Sequence, residues 1–156
     1  MQTTAQKLKA KMGAGSAADA VAAAAEQVNA AAERVRWQYV PPGMQSSVYQ
    51  NKAAEADKCR AVIDAAGTPV ATDYPYLNAE IGINGANVGD VAAAVIAKRD
   101  LWLGIVDPTI EGTRQALQKD LEDLDSAAPA TLTTARQLAA DAQRTIEAAV
   151  AAALGG

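Results

Sequence analysis

The chain has no histidine, no phenylalanine, one cysteine, two tryptophans and four tyrosines in 156 residues. Without histidine, the usual general base and commonest metal ligand is missing. A lone Cys59 can close no internal disulfide, and in a stretch of helical pattern it reads as a small core group. A reduced, cytosolic site of synthesis is the natural expectation. Few large aromatics means few of the side chains that bury the most area. No apolar run approaches a membrane span, since Ala22–Ala25 and Ala151–Leu154 are short and weakly apolar. Lys7, Lys9 and Lys11 precede no apolar stretch, so residues 1–12 do not read as a secretory leader. A soluble protein with no membrane partner is expected.

What the chain has in quantity is alanine, 39 residues of it. Alanine is the strongest helix former, but each buried methyl stabilises weakly because its apolar area is small. A thin bundle is expected, one that gains from packing against copies of itself or a larger assembly. The net charge of −4 argues against a nucleic-acid partner. Charge is also uneven: residues 1–62 hold eight basic against five acidic side chains, and residues 63–156 six against thirteen.

Periodicity predicts an all-α fold: an Ala-rich helical hairpin followed by a small helical bundle, with extended terminal helices. Residues 1–15, ending in Gly13-Ala14-Gly15, read as a flexible basic arm. Ser16 then caps a helix whose Val21, Ala25, Val28, Ala32, Val35 and Tyr39 form a heptad seam. Pro41-Pro42-Gly43 must end it. A second helix over 47–66, with stripe Tyr49, Ala53, Ala56, Cys59 or Arg60 and Ile63, stops at Gly67 and completes a hairpin over 16–67. A helical core segment over 68–125 opens at Thr72-Asp73-Tyr74-Pro75, turns at Ile83-Asn84-Gly85-Ala86, and restarts under an Asn87/Asp90 cap. Its stripe runs through Val91, Val95, Lys98, Trp102 and Ile105. A kink or short break is expected at Asp107-Pro108, before Ile110, Thr113, Leu117, Leu121 and Leu124. A C-terminal helix over 126–156, capped by Thr131 or Thr133, carries Leu138, Ala142, Ile146, Ala149 or Val150, and Ala153.

No group of residues points to catalysis, a metal or a cofactor, and none of these is expected. The acidic run Asp120, Glu122, Asp123 and Asp125 is interleaved with Leu121 and Leu124, which makes it a helix face rather than a calcium loop. Gly82-Ile83-Asn84-Gly85 lacks the Gly-Lys-Ser/Thr of a phosphate loop. Three lysines without interleaved aromatics are a solubilising arm before they are a nucleic-acid site. Aromatics are enriched at interfaces, but Trp102 and Tyr76 read as pins between helices, while Trp37 and Tyr39 fit a core and an interface role equally. The candidate contact residues are Val21, Val28, Val35, Trp37, Tyr39 and Tyr49. The seam is expected to be completed by neighbouring chains or another protein, with Trp37 and Tyr39 near the contact.

From residue 39 onward the order of signals is distinctive. Tyr39, Met44 and Val48-Tyr49-Gln50-x-Lys52-x-x-Glu55-Ala56 precede Asp73-Tyr74-Pro75-Tyr76-Leu77-x-Ala79-Glu80-x-Gly82-Ile83-x-Gly85. Asp90-Val91-Ala92, Trp102 and Ile110-Glu111-x-x-Arg114 follow. Over residues 39–125 this resembles small helical proteins encoded in the tail-structure cassettes of tailed bacteriophages, near the tail-fibre genes. Asp107-Pro108 departs from the pattern, and the Ala-rich ends fall outside it. The resemblance implies a virion tail component among other virion structural proteins, present in multiple copies or as a homo-oligomer. It supplies no catalytic residue. The competing expectation is a capsid-associated or assembly factor, chaperone-like or scaffold-like, that is absent from the mature particle.

Overall fold

A computed structural model describes residues 3–39 and 46–155, with the side chains of 5–15 excepted. The expected stop at Pro41-Pro42-Gly43, and Met44 of the distinctive order of residues, lie outside the described residues. The fold is all-α. The described residues hold six helices, α1 (Thr4–Tyr39), α2 (Ser47–Asp64), α3 (Pro75–Asn78), α4 (Val88–Leu101), α5 (Asp107–Glu122) and α6 (Thr131–Gly155), with a 3-10 turn at Ala71–Asp73 between α2 and α3 and a wide π turn at Trp102–Val106 between α4 and α5. Among the described residues the only β feature is an isolated bridge between Ile81 and Gly85.

The chain divides into two compact units, one of Met1–Arg36 with Pro108–Gly156 and one of Trp37–Asp107. These boundaries fall inside the expected hairpin 16–67 and the expected segment 68–125, not at their ends. Apolar spacing marks which face of a helix is buried, but not which distant helix covers it.

In the first unit α1, α5 and α6 share a narrow core. Val28, Ala32 and Val35 of α1 are fully buried, as are Ile110 of α5 and Ala142, Ile146 and Val150 of α6. Asn29 accepts from Arg114 at 2.9 Å and from Gln118 at 2.7 Å, and Arg36 meets Glu111 at 3.0 Å, so α1 and α5 run antiparallel. Arg34 donates to Gln143 at 2.9 Å, while Ser16 to Gln27 share a groove with Leu132 to Ala139. Thus α1 and α6 run parallel. Helix α1 starts at Thr4 and passes through Gly13-Ala14-Gly15, where an arm capped at Ser16 was expected. Two interior glycines cost about 1 kcal/mol each, and the helix formers of residues 5–12 offset that. Thr131 is the first residue of α6 rather than its cap, because its hydroxyl donates back to the carbonyl of Asp125.

In the second unit α2 and α4 lie antiparallel: Asp57 pairs with Arg99, Cys59 meets the Val88 carbonyl, and a side chain on Gly89 would touch Ile63. The core is Ala56, Cys59, Tyr74, Leu77, Val88, Val91, Ala92 and Val95. Cys59, not Arg60, takes the shared stripe position, and Arg60 pairs on the surface with Asp64. Helix α2 ends in a Schellman arrangement, with Gly67 N–H donating to Val62 O at 2.8 Å and Ala66 N–H to Ile63 O at 2.9 Å. The left-handed residue there is Ala66, at φ 57°, one position before the glycine expected to stop the helix.

Between α4 and α5 the chain stays helical instead of breaking. Asp107 N–H reaches back five residues to Trp102 O. Pro108 has no N–H, and its ring crowds the carbonyl of residue 104 in a normal α-turn. The wider turn takes up that conflict without ending the helix.

Candidate interaction surface

Most of the distinctive order of residues from Tyr39 onward lies in the second unit and is consumed there by folding, while Ile110, Glu111 and Arg114 belong to the first. Glu55 accepts from the backbone N–H of Tyr76 at 2.9 Å and of Leu77 at 3.1 Å. One carboxylate on α2 therefore caps the start of α3, whose own first residue is Pro75. Lys52 pairs with Glu80, and Asn84 donates to the same carboxylate at 2.9 Å. Hydrogen bonding to Lys52 outweighs burial and holds the Glu80 carboxyl below its ordinary range. Asn51 donates to the Tyr76 hydroxyl at 3.3 Å. Tyr76 is thus a pin between α2 and α3.

The turn that follows is equally determined. Gly82 takes φ 84°, which favours glycine. Gly85 presses so close to Asp90 that a Cβ would lie 2.7 Å from Asp90 Cβ. Asn87 accepts from Asp90 N–H at 3.0 Å, and the Asp90 carboxylate accepts from Ala86 N–H at 3.2 Å. This is the expected cap of α4. The spacing that looks like a motif is explained by hydrogen bonds within the unit.

Several ionisable groups are similarly occupied. Glu111 accepts from Arg114, Gln115 and Arg36, and these push its carboxyl down from 4.5 to about 2. Burial pushes the Cys59 thiol up, which makes it a poor nucleophile. Lys119 of α5 pairs with Asp123; of the acidic run expected on a helix face, Asp120 and Glu122 lie in α5, whereas Asp123 and Asp125 follow its end and Asp125 accepts from Ala127 N–H in the turn. No group of three or more metal-ligating side chains occurs among the described residues, and no helix among them is long and apolar enough to cross a membrane.

The six candidate contact residues separate. Val28 and Val35 are fully buried within the chain, so they cannot meet a partner: α5 and α6 close the seam that spacing alone left open. Val21 and Tyr39 are half-buried. Trp37 is 60% exposed. Tyr49 is half-buried, yet its hydroxyl is covered and has no hydrogen-bond partner among the described residues. Burial raises its pKa, Arg99 lowers it and Asp100 raises it.

Sequence reasoning missed most of the exposed apolar surface. Among the described residues the exposed large apolar side chains are Trp37, Val48, Ile63, Val70, Tyr76, Ile83, Leu101, Leu103, Ile105 and Leu154. All but Leu154 belong to the second unit. Ile83, at the tip of the Gly82–Gly85 turn, is 78% exposed. A signal existed, since Leu101, Leu103 and Ile83 lie off every helical stripe.

No family model, no curated protein and no solved structure matches the chain.

Proposed function

We propose that the chain is a non-enzymatic structural protein of a bacteriophage virion, a tail-associated component in the fibre, baseplate or adaptor region. It acts through helix-mediated contacts with other virion proteins. The observation that carries the contact reading is the set of apolar side chains left exposed in Trp37–Asp107. Exposed apolar surface favours association by roughly 25 cal/mol for each Å² removed from water. The same segment carries most of the pattern resembling tail-cassette proteins, and that resemblance is the whole support for the phage assignment.

The chemistry of the side chains agrees with a contact role. Glu55, Glu80, Asp90 and Glu111 of the pattern cap helices or pair with bases, and beside them the second unit offers a partner its exposed apolar groups. Mass spectrometry of purified particles tests the proposal. A tail component is found at a fixed ratio to the other tail proteins. Its absence from mature particles of a phage that makes it would replace this reading with that of an assembly factor.

A further inference from the structure

Of the asparagines in the chain, Asn84 alone precedes a glycine. Asparagine is a thermolabile side chain, because the backbone nitrogen of the next residue can attack its amide carbon. A Cβ on that next residue crowds the approach, and glycine has none. Asn84 is exposed in the turn between α3 and α4. Gly85 O accepts from Gly82 N–H at 2.7 Å, while Gly85 N–H itself makes no hydrogen bond of ordinary geometry among the described residues. The Asn84 amide donates to Glu80 at 2.9 Å, and an exposed bond of this kind exchanges with water at little net cost. The other asparagines are protected. The N–H groups that follow Asn29 and Asn51 lie inside α1 and α2 and are spent on helix hydrogen bonds. Ala79 N–H, after Asn78, donates to Pro75 O at 3.2 Å. Asn87 precedes the β-branched Val88, and its side chain is held twice by Asp90, at 3.0 and 2.9 Å.

We propose that Asn84-Gly85 is a self-modifying site, at which the Asn84 amide is converted to a carboxylate as aspartate and as its backbone isomer, isoaspartate. Gly85 N gives up its proton to hydroxide or water and bonds to Asn84 Cγ. The Cγ–Nδ2 bond breaks, and the nitrogen leaves as ammonia, which takes up a proton. Water then opens the cyclic imide. Cleavage of the new Cγ–N bond leaves aspartate with the chain path unchanged. Cleavage between the backbone carbonyl and Gly85 N leaves isoaspartate, whose chain runs through Cβ and Cγ. The net reaction consumes one water and releases one ammonium ion, with nothing oxidised or reduced.

The surroundings of the turn enlarge this small change. The Asn84 donor to Glu80 becomes a second carboxylate beside it, and neighbouring like charges repel. Glu80 is also the partner of Lys52 on α2. In isoaspartate one extra chain atom enters between the Cα atoms of residues 84 and 85. Gly85 is seated where even a Cβ would lie 2.7 Å from Val91 N. The extra atom therefore unseats Gly85, and with it the Asn87–Asp90 start of α4. Ile83, the exposed tip of the same turn, is released together with them.

Peptide mass mapping of the natively folded full chain, kept in warm and mildly alkaline buffer, tests the proposal. The peptide holding Asn84 is expected to gain the mass of an amide turned into an acid, ahead of the peptides holding the other asparagines. In heavy-oxygen water it gains the isotope as well, and part of it becomes a substrate for isoaspartyl methyltransferase. Asn84→Gln, whose longer side chain has to close a larger ring, should show no gain over the same period. Aged wild type is expected to unfold at lower urea by tryptophan fluorescence, and aged Asn84→Gln to keep its midpoint. No gain at Asn84, a gain no faster than at the other asparagines, or a gain confined to chain unfolded in urea overturns the proposal. An unchanged midpoint in the modified chain overturns its coupling to the start of α4.

Discussion

The two units of this chain are built from different materials. The first unit contains no aromatic residue, while both tryptophans and all four tyrosines lie in the second. The first holds 26 of the 39 alanines, and among the described residues it exposes one large apolar side chain against nine. Long helices with a regular small-residue seam can close on one another with little left over. Short elements joined by tight turns cannot bury every apolar side chain, so side chain to backbone hydrogen bonds hold them instead. The lesson is that conspicuous sequence features need not mark chemistry. Here the most distinctive stretch, residues 73–85, is the part whose fold needs the most specification.

This contrast can be broken or sharpened by substitution. The largest expected effect is in the first unit: Val28→Asp together with Val35→Asp puts two unpaired charges into a closed core, costing more than about 4 kcal/mol. Loss of helicity in the purified protein is expected. A well-folded double variant would show that the seam is not an internal core. In the second unit, Glu55→Ala strips two backbone donors of a charged acceptor and should destabilise by about 1–3 kcal/mol in urea melts. Glu55→Gln, which keeps an acceptor, should lose less. Equal losses would mean that the cap on α3 is not what Glu55 provides.

Acidification should act on the first unit through Glu111. Its folded pKa of about 2 lies below the ordinary 4.5, so its contribution is fully present above pH 4.5 and is lost as pH falls toward 2. Glu111→Gln should flatten the fall in melting temperature across that window, and an unchanged slope would count against the Arg114–Glu111–Arg36 arrangement. The smallest effect belongs to Ala66. Its left-handed backbone costs about 1 kcal/mol for a residue with a Cβ, so Ala66→Gly should stabilise by up to about 1 kcal/mol, offset in part by the freer unfolded chain. A destabilised variant would contradict the Schellman ending of α2.

Much of the fold was legible because it depends on local signals. Val28, Ala32 and Val35 announce a buried face by spacing alone, and Asn87 with Asp90 announces a helix start through hydrogen bonds three residues apart. What spacing could not reveal was which element closes each face. The partners of Val28 and Val35 on α5 and α6 are some 75 to 115 residues away, and nearness in sequence favoured α2 instead. The glycines at 13 and 15 were misleading because their helix penalty is smaller than the propensity of their neighbours. The π turn went unseen because Pro108 signals trouble for a helix without saying how it is relieved. Of the candidate contact residues, Trp37 and Tyr39 stood open between core and interface, because the end of a helix serves either role, and Ile83 and Leu103 required knowing which faces the core had already used.

Residues 37–107 form a unit with their own core, distinct from the Ala-rich core of the other. The aromatics make this directly measurable, since tryptophan fluorescence reports on the second unit alone while helicity at 222 nm reports mainly on α1, α5 and α6. Leu77→Ala removes a fully buried side chain from the second core, a loss of about 2–5 kcal/mol. In urea unfolding followed by both signals, the account predicts that this substitution lowers the fluorescence midpoint and leaves the main helical transition in place. If both midpoints fall together by the same amount, the chain has one cooperative core and the division into two units is wrong.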